Sequence, residues 1–265
     1  MSKVELVNNK DHHKIKVMTH RSSQLGDEVS ITGVFPSEFV QLQNEYVVFF
    51  KKNAQTGLFH SVVLLGFAEG ENLYLENDNW MAEYMPLSIL RAPFLIGFTE
   101  HINNGVPEQV AAVHIDVAHP RVNYEHGEPL FLEHGGNSEY LTQINSVLQA
   151  IHHGHADDEA FMQSLLKYDL LESATLKVGS DTLTGLYTIN EDNLRQLDAS
   201  ALEALHQVGY LQHIYMVMAS LGQLKSLVNV KLNQSKQQSE QQSEQQSEQQ
   251  SEHQSPPQSE LKGTK

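Results

Sequence analysis

The chain has 265 residues, no cysteine, and a formal charge of −16, with 33 Asp and Glu against 17 Lys and Arg. The missing thiols exclude disulfides, Fe–S clusters, zinc fingers and cysteine catalysis, and the acidic balance offers a phosphate backbone no basic stripe, so no nucleic-acid partner is expected. No run approaches the roughly 18 apolar residues of a membrane span, and MSKVELVNNKDHHKIKV lacks an apolar leader, so a cytoplasmic protein is expected, surface-associated only if exported by a non-classical route.

Along the chain, YVVFF (46–50) and FHSVVLLGF (59–67) are β-branched and aromatic runs. The KKNAQTGL segment between them carries Asn53 and Gly57, which suit a hairpin loop. AEGEN (68–72) reads as a turn before the short run LYLE, and FLIGFT (94–99) and VAAVHIDV (110–117) are expected to continue the same sheet. From Ser138 the period becomes helical. Leu141, Ile144, Leu148 and Ile151 form one stripe that Gly154 is expected to end, and Asp157 is expected to cap a second helix, DDEAFMQSLLKYDLL. A hairpin follows, ATLKV and TLTGLYTI around Gly179, Ser180 and Asp181. Asn190 and Asp198 are N-cap signals, with Ile189/Leu194 and Leu197/Leu202 at the positions of hydrophobic staples. After Gly209, the residues Tyr210, Ile214, Val217, Leu221, Leu224 and Val228 make a last apolar stripe.

The expected architecture is α+β, with a strand-rich N-terminal half built on a mainly antiparallel sheet and a helical C-terminal half containing one β-hairpin. Residues 1–232 read as a single domain. Residues 233–265 repeat Gln-Gln-Ser-Glu around Leu261 as the one aliphatic side chain. Such a segment cannot offset the entropy of ordering and is expected to be disordered.

Several residue groups are candidates for chemistry. On a strand, His114 and Asp116 of VHIDVAH project to one face, the geometry of two ligands of an Fe(II) facial triad. A His-x-Asp pair without a third ligand in the text reads first as the wet face of a sheet; a metal-dependent enzyme using His114 and Asp116 on a peptide or small molecule is the alternative. Asp116 and Arg121 are placed to form an ion pair that fixes a strand end or anchors a charged ligand. IHHGHADDE (151–159) has zinc- or nickel-type side chains, yet at the expected helix junction it reads as a solvated connection. Trp80, Tyr84 and Arg91 form an aromatic and guanidinium group of the kind recognition surfaces use, weighed against an ordinary place in the core.

Five segments taken in order are similar to one known family: GFAEGENLYL, the Asn79–Phe94 stretch ending in ILRAPF, PLFLEHGGNSEYL, GLYTINEDNL and GYLQHIYMVMASLGQLKSL. From about Phe35 to Leu227 the chain resembles the SapC family of bacterial surface-layer-associated proteins. The resemblance implies an accessory protein acting through protein contacts in a surface-layer or outer-membrane-linked system. It also implies gene neighbours that encode outer-membrane receptors and flavin-dependent halogenases, either of which is a candidate partner. It brings no catalytic residue and no cofactor. Ile115-Asp116 and Pro120-Arg121 fit the family pattern, which does not call for His114. Tyr46-Val47 stands where the family has Tyr-Pro.

Overall fold

The computed structural model describes residues 2–103 and 106–236. The chain begins with β1 (Val4–Leu6), α1 (Asn9–His12), β2 (Lys16–Val17), β3 (Ile31–Gly33) and α2 (Phe39–Leu42). The hairpin β4 (Val47–Lys52) and β5 (Phe59–Leu64) follows, then β6 (Leu75–Glu76), β7 (Asn79–Trp80) and α3 (Leu87–Leu90). A long hairpin, β8 (Phe94–Asn103) and β9 (Val106–Asp116), leads through β10 (Val122–Asn123) and β11 (Glu128–Pro129) to α4 (Glu139–Lys167). The hairpin β12 (Leu171–Val178) and β13 (Asp181–Ile189) precedes α5 (Glu191–Arg195), α6 (Ala199–Gln207) and α7 (Tyr210–Ser220).

The fold is α+β with antiparallel sheets, as expected, but the strands are shared out differently. The C-terminal hairpin joins the N-terminal one in a five-stranded sheet of order β12-β13-β4-β5-β3. FLIGFT and VAAVHIDV do not continue that sheet; they form β8 and β9 of a separate three-stranded sheet of order β1-β9-β8. The larger sheet is covered on both faces. Val48, Phe50 and Val63 pack with Phe39 of α2, Phe161 and Leu165 of α4, and Val217 of α7. Val47, Phe49, Val62 and Leu64 pack against Leu221, Leu224 and Leu227. Two covered faces explain why these strands read as continuous apolar runs rather than alternating ones.

One correction decides where the site lies. The sequence suggests two helices broken at Gly154 and restarted at Asp157, yet α4 runs unbroken for 29 residues, roughly 43 Å at 1.5 Å per residue. A glycine inside a helix costs about 1 kcal/mol relative to alanine, and here tertiary packing outweighs that cost. A Cβ at position 154 would lie 2.5 Å from Cγ of Phe35, so the bare glycine is what lets the Phe35 side chain seat against the helix. The N-terminal part of α4 packs on the smaller sheet, with Leu141, Ile144 and Leu148 against Phe94 and Ile115. Its C-terminal part packs on the larger sheet. The middle of α4 therefore crosses the gap between two cores.

The cap signals are realised: Asn190 accepts the Asn193 N–H at 2.9 Å and Asp198 the Ala201 N–H at 2.8 Å, at the starts of α5 and α6. Residues 224–236 are helical, so the first four residues of the expected tail extend the last helix. The remainder of the tail, from residue 237, lies outside the described residues. Lys231 of this helix bridges Glu71 at 2.6 Å and Asp181 at 3.0 Å, tying the helix to the larger sheet.

Candidate functional site

The strand β3 pairs with Val62, Val63 and Leu64 of β5, so among the described residues the earlier part of β5 has no strand neighbour on that side. Val34 continues the ladder by one bond to the Ser61 carbonyl at 3.0 Å. The next donor, the Ser61 N–H, is taken at 3.1 Å by Oδ2 of Asp158 on α4, while the Ser61 hydroxyl donates to Oδ1 at 2.5 Å. A carboxylate thus stands in for the missing strand partner. Asp158 is buried, and its carboxyl is pushed up to about 6 by desolvation, with the two Ser61 donors pulling the other way.

Around this pair the gap opens into a cleft of about 440 Å³. One wall is the β3–β5 edge with Gly33, Phe35 and His60, the floor is α4 with Leu148, Ile151 and His155, and the far wall is Ile96 and Phe98 of β8, with Arg91 at one end. His155 meets the Phe35 ring edge-on at 4.9 Å, and His152 meets Phe98 at 6.1 Å. The imidazoles of His60 and His155 are held below the usual histidine range. Partial burial is the first cause in both; Lys51 and then His155 add to it at His60, and Arg91 and then His152 at His155. A second cleft of about 600 Å³ shares His60, His155 and Asp158 and runs on past Phe59 and Met162.

The far wall is also a sheet edge. Among the described residues, β8 of the smaller sheet pairs with β9 alone. The Asp116 N–H reaches Pro93 on the β8 side, while the Val113 carbonyl is taken by Val7 on the β1 side. In an antiparallel ladder this alternation turns the N–H and C=O of Ile96 and Phe98 away from β9, toward the free edge.

The recognition group of Trp80, Tyr84 and Arg91 is split. Trp80 and Tyr84 stay together in a web of internal bonds: Trp80 Nε1 donates to the Tyr46 hydroxyl at 2.8 Å, that hydroxyl donates to the Tyr84 carbonyl, and the Tyr84 hydroxyl donates to buried Glu38 at 3.0 Å. Tyr74 stacks on Tyr46 at 4.5 Å. Arg91 points elsewhere, donating to the Phe94 carbonyl at 2.8 Å and lining the cleft.

Asp116 and Arg121 do not pair, a correction to the sequence reading. Asp116 holds the start of the chain, accepting from the Lys3 N–H and the Ser2 hydroxyl, both at 2.7 Å, and from the Ala118 N–H at 3.1 Å; the Lys3 bond leads in holding its carboxyl below the usual range. Arg121 is fully buried and donates to Asp27, with Met18 and His20 carbonyls at 2.8 and 2.6 Å. Arg21, also buried, approaches the same carboxylate at 3.4 Å. The partner of Arg121 lies 94 residues away in sequence, beyond any local pattern.

His114 and Asp116 do share the outer face of β9, as the alternation requires. The His114 ring covers Gly97, with Nδ1 at 3.1 Å from the Ala112 carbonyl. Among the described residues no group of three or more His, Asp or Glu side chains is placed to hold a metal ion.

IHHGHADDE is not a connection between helices but the middle of α4. His155 and Asp158 fall where the stripe of Leu148 and Ile151 continues toward Met162 and Leu165. A carboxylate interrupting an apolar stripe is the sequence signal that marks this site. Ser61 and His60 carry no such signal, sitting inside an apolar strand.

No helix among the described residues is long and apolar enough to cross a membrane. No curated protein and no solved structure matches the chain. The family model described as SapC matches residues 7–227, reaching further toward the N-terminus than the motifs that suggested it, and the chain belongs to the SapC family.

Proposed function

We propose that this SapC protein is an accessory protein that works through contacts with another protein, in a surface-layer or outer-membrane-linked system, and that the contact is made at the α4 cleft and the β8 edge beside it. The observation that carries the reading is the edge of β8, without a strand partner among the described residues, where Ile96 and Phe98 turn backbone groups away from β9 beside a cleft with an apolar floor. An uncovered strand edge is a template for pairing with another chain. Phe98 supports the reading: it is 57% exposed beside the cleft, an uncommon place for a large aromatic unless something covers it. The outer-membrane receptors and flavin-dependent halogenases implied by the family are the candidates for the partner.

The test is isolation of the tagged full-length chain from its own host. Wild type is expected to bring a partner in fixed ratio, Phe98→Asp to recover at least tenfold less of it, and Tyr215→Asp, at an exposed site on α7, to recover the wild-type amount. Equal recovery with Phe98→Asp contradicts the reading.

A further inference from the structure

Arg91 sits at the end of the cleft with part of its guanidinium spent on the Phe94 carbonyl. Among the described residues it forms no ion pair, although the chain has 33 acidic side chains to 17 Lys and Arg. The titratable side chain of the cleft that senses it is His155, which supplies no negative charge and whose imidazole is held below the usual range first by partial burial and then by Arg91. The carboxylate in the cleft, Asp158, is committed to Ser61. Desolvation lowers the Arg91 pKa with no compensating carboxylate. A partly buried guanidinium without a counter-ion, in an acidic protein, calls for an anion from outside.

Two further features fix what carries that anion. The β8 edge offers N–H and C=O groups in strand register at Ile96 and Phe98, which an extended main chain satisfies. The floor of Leu148 and Ile151 takes apolar side chains.

We propose that the cleft binds an extended, carboxylate-bearing peptide segment of another protein: its backbone adds to β8 as a further strand, an apolar side chain rests on α4, and its carboxylate pairs with Arg91. The proposal rests on the reading of the cleft as a protein-contact site and names the chemistry of the segment. A carboxylate matches the planar fork of guanidinium N–H groups in a bidentate manner. The chain's own tail is a poorer occupant. It supplies glutamates but, apart from Leu261, no aliphatic side chain for the floor.

The test is selection of a displayed library of random dodecapeptides against the full chain. Sequences with Asp or Glu among aliphatic or aromatic residues are expected to be enriched at least tenfold over input. Measured on individual enriched peptides, Arg91→Gln, which keeps a donor for the Phe94 carbonyl, is expected to weaken binding at least tenfold and abolish the preference for Glu over Gln. Arg91→Lys is expected to restore that preference, which a merely misfolded Arg91→Gln protein does not account for. Enriched peptides without acidic bias that are lost on Phe98→Asp overturn the present inference while leaving the protein-contact reading standing. A selection in which nothing depends on Phe98 overturns both.

Discussion

Replacing Asp27 by alanine is expected to cost about 3 to 5 kcal/mol, the usual penalty when one partner of a buried ionic group is removed. Asp27, Arg21 and Arg121 are all buried, and the carboxylate accepts from both guanidiniums and from the Ser22 N–H at 2.8 Å. Without it, two cations remain in a low-dielectric setting with carbonyls alone, those of Ile89 for Arg21 and of Met18 and His20 for Arg121. Their mutual repulsion already lowers the Arg21 pKa, second to burial itself. Urea unfolding gives the cost directly. Asp116→Ala is the control: that carboxylate is solvated, and its loss is expected to stay within about 1 kcal/mol. A loss of less than about 1 kcal/mol for Asp27→Ala contradicts the assignment of the buried triad.

Gly154→Ala is expected to destabilise by about 1 to 3 kcal/mol, although alanine is the better helix former by about 1 kcal/mol. The added methyl meets Cγ, Cβ and Cδ1 of Phe35 at 2.5, 2.8 and 2.9 Å, and the Phe35 Cβ is tied to the backbone and cannot swing away. In a Phe35→Gly background all three atoms are gone, so the same substitution is expected to cost less than about 0.5 kcal/mol. The coupling between the two positions should therefore exceed about 0.5 kcal/mol in a double-mutant cycle, since contacting residues depart from additivity by at least this much. Additive effects contradict the close packing of Phe35 on α4, and with it the account of why a glycine sits in mid-helix. Because Phe35 lines one wall of the cleft and α4 is its floor, the same contact sets the width of the site.

Much of the fold is legible in the chain because its signals are local. The hairpin of β4 and β5 follows from two apolar runs around Asn53 and Gly57, and Asn53 does accept the Gln55 and Thr56 N–H groups across the loop. The caps at Asn190 and Asp198 need only three residues to be read. What is not legible is long-range. Nothing near ATLKV or GLYTI says that β13 lies beside β4, with Tyr187 opposite Phe50. Gly154 carries the same letter whether it ends a helix or admits a phenyl ring, and 119 positions of chain separate it from Phe35. The pairing of Arg121 with Asp27 rather than nearby Asp116 is of this kind too.

The cleft shows both sides of that division. Arg91 stands out in the sequence as part of an aromatic group, yet the structure separates it from Trp80 and Tyr84, whose polar atoms are used internally. Asp158 is readable as a carboxylate on an apolar stripe, but its role depends on the place where β3 stops short along β5, which only the sheet register reveals.

Residue-resolved amide exchange on the full chain, alone and with a peptide enriched on the cleft, reports directly whether the β8 edge is open and whether a bound segment closes it. In the free chain, Leu95 and Gly97, whose N–H groups face β9, are expected to exchange at least tenfold more slowly than Ile96 and Phe98, whose N–H groups face the open edge. With the peptide bound, Ile96 and Phe98 should gain at least tenfold protection, while α6, which does not line the cleft, remains as before. Uniform protection along β8 in the free chain, or bound peptide that leaves Ile96 and Phe98 unprotected, would contradict the assignment of this edge as the contact site.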